Sequence, residues 1–451
     1  MDRQRLFGRM SRRQFLHRAG VAGAAMAGLG LARTAGAAPA ARGIPTVLRG
    51  ASAVELSYFY PIGVAGPLSK IMQGMVDAFN AAHPDIRVKA SFTGSYVDTT
   101  TKVVTQVQAN NPPDVAVMLA TDLQSLIDLN AIIPVGDLKP SGDETFDPKD
   151  YYPAFFQDTQ LDGKTWSVPF QRSTPVLYYN KDAMQKADLD PTKPPQTWDD
   201  LVSDSKKIMS AKAAKWGVEI PTSGTAYWLF QSLAIEAGQD LNGADRTHVN
   251  FDTPAATEAL TWLVDLSTKY GVMPKGVLDW SAAPTDFSSG NTAFLYHSTG
   301  SLAAILQQAK FQVGTAFLPK DKQYGVNTGG GNIYIFKKIP VAHQQAAWTF
   351  ALWMTSPDQA AKWAIQTGYV PVRISATDTS DWKAYIAKTP QAETAIDQLK
   401  YAHAELTAHQ SSQIQRFMSD AVQAAVAGQK SPAAALKQAQ QQADAILKQY
   451  R

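Results

Sequence analysis

The sequence predicts an α/β protein built in two lobes. Three observations carry that expectation. Strand and helix patterns alternate through the first part of the chain, in the order that gives a mostly parallel sheet. About four hundred residues remain beyond a leader, too many for one hydrophobic core and well suited to two. A polar turn between two prolines, Pro169 to Pro175, runs straight into the apolar pair Val176–Leu177 and two tyrosines, and so marks the start of a further strand well into the chain.

The leader comes first. Ser11–Arg12–Arg13–Gln14–Phe15–Leu16 is a paired-arginine region, Ala19 to Ala32 is small and weakly apolar, and Ala35–Gly36–Ala37 offers a cleavage site. This is a secretory signal of the twin-arginine kind over residues 1–37, followed by a linker over 38–52. Seven arginines against one aspartate in 1–37 give that segment a net charge of +6, whereas the whole chain carries 42 basic and 39 acidic residues. The remainder is therefore slightly acidic, and nothing supports a nucleic-acid partner. With no cysteine anywhere, the secreted chain has neither disulfide staples nor a lipid-anchored cysteine. A soluble periplasmic protein is expected.

Val54 to Tyr58 alternates as a strand, and Phe59–Tyr60–Pro61–Ile62–Gly63 closes it. Leu68, Ile71, Met72, Met75, Val76 and Phe79 recur at helical spacing, and Ile86, Val88, Ala90 and Phe92 alternate again. A helical stretch over Thr101 to Ala109 and the apolar run Val115 to Leu119 complete the series. Sheets of this kind bind ligands at the carboxyl ends of their strands. The loops in question are Phe59–Gly63, Thr93–Gly94–Ser95–Tyr96 and Ala120–Thr121–Asp122, two of which carry a tyrosine. A tyrosine there is equally at home in a rim or a core.

Further on, Thr197 is positioned to cap a helix opening at Trp198. Thr222 to Trp228 reads as a polar loop ending in two aromatics, and Ala255 to Tyr270 as a helix. His297–Ser298–Thr299–Gly300–Ser301 meets a helix beginning at Leu302, which makes either an anion site or an ordinary cap. Gly329–Gly330–Gly331–Asn332 precedes a strand at Ile333–Phe336. It lacks the lysine and hydroxyl residue of a phosphate-binding loop, so its glycines suit a hinge or a close backbone approach. Ser431–Pro432 starts the last helix.

A secreted chain of this size is open to an enzymatic reading. The sequence has neither a G-x-S-x-G elbow nor an H-E-x-x-H helix. His403, Glu405 and His409 fit no metal-ligand spacing and read as solvated helix residues. No cofactor, metal or catalytic residue is assigned.

The run Ser173–Thr174–Pro175–Val176–Leu177–Tyr178–Tyr179–Asn180–Lys181–Asp182, continued by Leu189–Asp190–Pro191, Thr197–Trp198, Gly300–Ser301–Leu302 and Thr367–Gly368–Tyr369–Val370–Pro371, resembles the extracellular solute-binding proteins (family 1) of ATP-driven importers, in particular the members that bind glycerol-3-phosphate. The resemblance covers nearly the whole mature chain. It implies the two-lobed periplasmic binding protein fold of type II, maltose-binding-protein-like, with three crossovers. Residues 53–170 with 332–368 would form one lobe, and 171–331 with 369–451 the other.

The resemblance also implies a monomer without catalysis. It would deliver glycerol-3-phosphate, a glycerophosphodiester or, alternatively, a sugar to membrane permease subunits. By resemblance the ligand contacts are Tyr96, Ser173, Ser298, Gly330, Tyr369 and Arg416, with Tyr227 and Trp228 in place of a cleft tryptophan; Tyr60 and Arg172 complete the set. Hydroxyls, backbone N–H groups and one guanidinium suit a phosphate, and aromatic faces suit a glycerol or sugar skeleton. Ala120, Arg172 and Gly224 depart from the family pattern and bear on the ligand rather than the fold.

Overall fold

The computed structural model describes residues 53–139 and 145–451; the export signal, its cleavage site and the linker lie outside these residues.

The first part of the chain runs β1 (Val54–Tyr60), α1 (Leu68–Ala82), β2 (Ile86–Phe92), α2 (Tyr96–Gln108) and β3 (Val115–Leu119), as its hydrophobic periods require. The principal elements that follow are β4 (Ser167–Ser173), β5 (Pro175–Asn180), α3 (Trp198–Ser210), β6 (Trp216–Glu219), α4 (Ala226–Glu236), α5 (Pro254–Thr268), β7 (Thr292–Ser298), β8 (Val313–Ala316) and β9 (Gly329–Ile335). The carboxyl-terminal part carries α6 (Val341–Met354), α7 (Pro357–Thr367), α8 (Ser411–Val426) and α9 (Pro432–Leu447).

The strands form two principal sheets. One is ordered β2-β1-β3-β9-β4 and the other β8-β5-β7-β6. In the first, β1 runs parallel to β2 and β3, and β9 returns antiparallel between β3 and β4. In the second, β5 is antiparallel to both neighbours, and β6 is parallel to β7.

Alternation along β1 explains how the first sheet is covered on both faces. Leu56, Tyr58 and Tyr60 join a buried cluster with Met72 of α1 and Phe350 of α6. Phe59, pointing the other way, joins Val103 of α2 and Tyr334 of β9. The largest cluster belongs to the second sheet and gathers α4, α5, α8 and α9 against Leu177, Phe294 and Tyr296. Every residue of α4 is buried, as expected of a helix that is apolar almost all round.

Local caps follow the sequence. Thr197 and Asp200 form a reciprocal capping box at α3, and Ser431 accepts from the Ala434 N–H before α9. Three boundaries differ from the expectation. Helix α2 opens at Tyr96, five residues before Thr101. Tyr227 and Trp228 lie in the first turn of α4 rather than at the end of a loop. The glycine triplet is part of β9, because Gly329 and Gly330 pair with Ser173 and Arg172 of β4.

A single residue, Thr174, separates β4 of one sheet from β5 of the other. It is fully buried; its carbonyl accepts from the Thr299 N–H at 3.0 Å, and its own N–H reaches Thr299 Oγ1 at 3.4 Å. The chain returns through Thr328 into β9 and passes back beyond α7, where Gly368 adopts φ +95° as the helix cap. Val370 N–H then bonds Arg172 O at 2.9 Å, stapling this passage to the first.

Candidate functional site

Strand register fixes where the candidate residues gather. Gly331 faces Leu119 and Gly329 faces Ser173, so the loops after β1, β2 and β3, the end of β4 and the start of β9 share one edge of the first sheet. In the second sheet Pro175 faces Ser298, and β6 ends beside β7, which brings the Ile220–Thr225 segment to the corresponding edge.

Tyr96 opens α2, and its hydroxyl donates to Gln171 Oε1 at 2.9 Å. Tyr227 opens α4, and its hydroxyl donates to Glu405 Oε1 at 2.7 Å. Burial raises the pKa of both phenols well above the usual range, with the Tyr369 hydroxyl beside Tyr96 and the Glu405 carboxylate beside Tyr227 adding to it. Glu405 itself is pushed up to about 8 by burial, against the opposing pull of Tyr227 and Arg172, while Asp158 and Asp122 push the same way as burial. Asp122, buried and accepting from Thr100 Oγ1 at 2.8 Å, is pushed up to about 6, again by burial first. Tyr96, Asp122, Arg172, Tyr227, Tyr369 and Glu405 are thus close enough to feel one another's charge.

Several buried polar atoms in and beside this group have no hydrogen-bond partner among the described residues. They are Gln171 Nε2, Arg172 Nε, Glu405 Oε2 and the hydroxyls of Thr121, Thr174 and Thr225. Buried polar atoms are nearly always paired, so such a concentration marks a place built for something else to bind. The atoms are mixed in kind. Gln171 Nε2 and Arg172 Nε are donors, Glu405 Oε2 is an acceptor when ionised, and the hydroxyls are both. Trp228 and Trp280 supply aromatic surface, in edge contact with ring centroids 5.9 Å apart. Trp228 Nε1–H is fixed by the Thr328 carbonyl at 2.9 Å.

Other predicted residues have different work. Tyr60 is buried with Tyr58 in the first sheet's cluster, and the exposed Phe92 ring lies 6.0 Å from its own. Ser298 Oγ accepts from Gly300 N–H at 3.1 Å, capping the short 3-10 turn Thr299–Ser301, while Ser301 Oγ is bonded to His297 Nδ1 and the helix that begins at Leu302 has no side-chain cap. Ser173 is buried at the end of β4, opposite Gly329. Gly330 has φ +97°, and a Cβ there would lie 1.8 Å from the Gln171 carbonyl oxygen, so the glycine permits the close approach of β9 to β4. Tyr369 is buried against Trp363 and against Gly300, where a Cβ would come within 2.9 Å of its ring.

The two arginines are placed very differently. Arg172 is fully buried and committed: its Nη atoms reach Asp158 at 2.7 Å, Asn332 at 3.1 Å and Thr328 at 3.2 Å, which ties β4 to the return strand β9. Arg416 projects from the outer face of α8 with its side chain 77% exposed, and Asp420 lies 3.7 Å away. The helix turns Gln415 and Ser419 inward instead, and Ser419 Oγ accepts from Tyr227 N–H at 3.3 Å.

The reading of His403, Glu405 and His409 as solvated helix residues fails. All three precede α8, in a short strand and a loop. Glu405 is only 2% exposed, and His409 stacks on Tyr450 with centroids 4.1 Å apart. Nothing local in His403–Ala404–Glu405–Leu406 marks the burial. Gln171, Glu405 and Trp280 were therefore missed, although Gln171 lies inside the stretch that drew attention. Among the described residues no cluster of three or more His, Asp or Glu side chains is arranged to hold a metal.

Comparison with known proteins gives the fold a context. The family model of bacterial extracellular solute-binding proteins matches residues 74–390. The sn-glycerol-3-phosphate-binding periplasmic protein UgpB of Yersinia pseudotuberculosis is 27% identical over 406 residues, covering 85% of this chain and 91% of that protein. UgpB of Mycobacterium tuberculosis, solved in complex with glycerophosphocholine, superposes with a TM-score of 0.78 at 24% identity over 89% of this chain and 100% of that one. Maltose-bound MalE3 of T. maritima superposes with a TM-score of 0.76 at 22% identity, over 87% and 100% respectively. The fold is the two-lobed, maltose-binding-protein-like arrangement of type II.

Proposed function

The chain belongs to the bacterial extracellular solute-binding proteins, and from that membership we propose that it captures a neutral, hydroxyl-rich solute of the sugar class for an ABC importer. One observation carries the choice of ligand: an orphaned donor, Gln171 Nε2, and an orphaned acceptor, Glu405 Oε2, are held by the two tyrosines Tyr96 and Tyr227. A hydroxyl both donates and accepts, so a polyol answers both needs at once, and apolar sugar faces suit Trp228 and Trp280.

The Arg416 side chain is largely exposed and the Arg172 Nη atoms are taken by Asp158, Asn332 and Thr328, leaving only Nε free, so neither offers the two-pronged grip that favours a phosphate. A glycerophosphodiester is the second reading. Arg246 favours it: the residue is half-buried, its guanidinium makes no hydrogen bond or ion pair among the described residues, and Asp158, Tyr334, Asp162 and Asp128 are its charged surroundings.

The proposed role is binding without catalysis, as a monomer that presents its closed form to permease subunits after export by the twin-arginine route. No helix among the described residues is long and apolar enough to cross a membrane. Two lobes are proposed, with the first two junctions moved from 170/171 and 331/332 to Thr174 and Thr328, because β4 and β9 each lie whole within the first sheet, and the third kept at Gly368. Isothermal titration of the ligand-stripped chain with maltose, glycerophosphocholine and sn-glycerol-3-phosphate tests the reading. Micromolar binding of maltose is expected. Binding of the phosphodiester alone would move the assignment to the second reading, and binding of none would remove both.

A further inference from the structure

Glu405 occupies a built position. Its loop is gripped from both sides: Gln231 Nε2–H donates to Ala404 O at 2.9 Å, Gln231 Oε1 accepts from Leu406 N–H at 2.8 Å, and Gln415 Nε2–H donates to Leu406 O at 2.8 Å. Gln231 and Gln415 are themselves buried. Two side-chain amides therefore hold the backbone on either side of a carboxylate whose Oε1 is oriented by Tyr227 and whose Oε2 has no partner. A buried carboxylate with a free oxygen is costly, and rigid support around it is what a binding position requires. The charged and titratable groups around it are Tyr227, Arg172, Asp158, Asp122 and Tyr96. The one cation among them is already engaged by Asp158.

We propose that Glu405 is the specificity-determining residue of the cleft: its free Oε2 accepts a hydrogen from a hydroxyl of the solute, and the same oxygen turns a phosphomonoester away. This rests on the solute-binding reading above and narrows it. The amide of Glu405→Gln keeps an oxygen for Tyr227 but presents an NH₂ group where the acceptor stood.

The test is calorimetric titration of the full mature chain and of Glu405→Gln with maltose, glycerophosphocholine and sn-glycerol-3-phosphate, alongside thermal melting of both proteins. At about pH 9, above the value of about 8 to which burial pushes the Glu405 carboxyl, whichever hydroxyl-bearing probe the wild type binds should bind Glu405→Gln on the order of 10- to 100-fold more weakly, the loss expected for a hydrogen bond to a charged group. The variant should melt at the same temperature or higher, since the free oxygen serves the ligand and not the fold.

Affinity should also rise with pH in the wild type, because a donor from the solute favours the ionised carboxylate, and should be flat in the variant. Unchanged affinity in Glu405→Gln would overturn this proposal while leaving the solute-binding reading intact. Tightest binding of sn-glycerol-3-phosphate by the wild type would overturn it as well. Silence of all three probes with the wild type would count against both.

Discussion

The indole Nε1–H of Trp280 donates to the carbonyl of Gly63 at 3.1 Å, joining residues 217 positions apart in the chain. Gly63 follows β1 of the first sheet, and a Cβ on it would come within 2.9 Å of the Tyr96 ring. Trp280 lies against the cluster of the second sheet and stacks on His297 with centroids 3.9 Å apart. One hydrogen bond thus links the loops that face each other from the two sheets. The imidazole beneath is neutral: burial pushes His297 down to about 4. Its Nε2–H must donate to the Trp280 carbonyl at 3.1 Å, which leaves Nδ1 to accept from Ser301 Oγ at 2.9 Å.

Trp280→Phe keeps an aromatic ring over His297 and removes only the donor. A hydrogen bond of this kind contributes about 0.5–1.5 kcal/mol, so ligand affinity should fall roughly 2- to 10-fold as closure becomes less favourable. Small-angle scattering should show a more open average in the unliganded variant. An unchanged scattering profile would mean that the bond does not bias closure.

Gly330→Ala should damage the second crossover. The backbone there is left-handed, and the added methyl group meets the Gln171 carbonyl, which cannot move without shifting β4. A loss of at least about 1–2 kcal/mol in unfolding free energy is expected from the backbone conformation alone. Urea denaturation measures it. Because Gln171 also holds Tyr96, the same variant should bind solute more weakly.

Arg172→Met leaves Asp158 without its partner in a mostly buried setting. Breaking one side of such a pair costs about 3–5 kcal/mol, and the denaturation midpoint should fall accordingly. A change in affinity without a change in stability would return Arg172 to the ligand contacts.

Stability should depend on pH in a stated direction. Burial pushes Glu405 up to about 8, Glu219 to about 7 and Asp122 to about 6, so the folded protein holds these protons more tightly than the unfolded chain. Their contribution is complete below about pH 4, the carboxylate range of the unfolded chain, and is lost as pH rises through those folded values. His297 acts oppositely: its contribution is present above about pH 6.5 and is lost as pH falls through about 4. Between about pH 6.5 and 8.5 only the carboxyl groups matter, so the melting temperature of the unliganded protein should fall across that interval. Glu405→Gln should flatten the decline.

Periodicity made most of the elements legible. β1, α1, β2 and β3 announce themselves by alternation or helical spacing, and Thr197 and Ser431 mark caps that form as expected. Pairing partners were harder to read. Gly329–Gly331 look like a loop until Ser173 and Arg172 are seen opposite them, because the strand pairing is long-range and glycine carries no strand signal of its own.

Of the residues gathered around the orphaned atoms, Tyr96, Tyr227 and Trp228 could be named as candidates from the sequence. The site's charges could not. Arg416 and Glu405 both sit near the carboxyl-terminal helix pair, and only the phase of α8 and the grip of Gln231 decide that the acid turns inward and the base outward. Helical phase is fixed by packing against Tyr227 and its neighbours, which local sequence does not encode.

The central claim is that the orphaned polar atoms around Tyr96 and Tyr227 receive the hydroxyls of a solute. A crystal structure of the chain grown with maltose tests it most directly. The account predicts sugar hydroxyls within hydrogen-bonding distance of Gln171 Nε2 and Glu405 Oε2, with a sugar face against Trp228 or Trp280. A sugar bound elsewhere, with those two atoms still without partners, would contradict it.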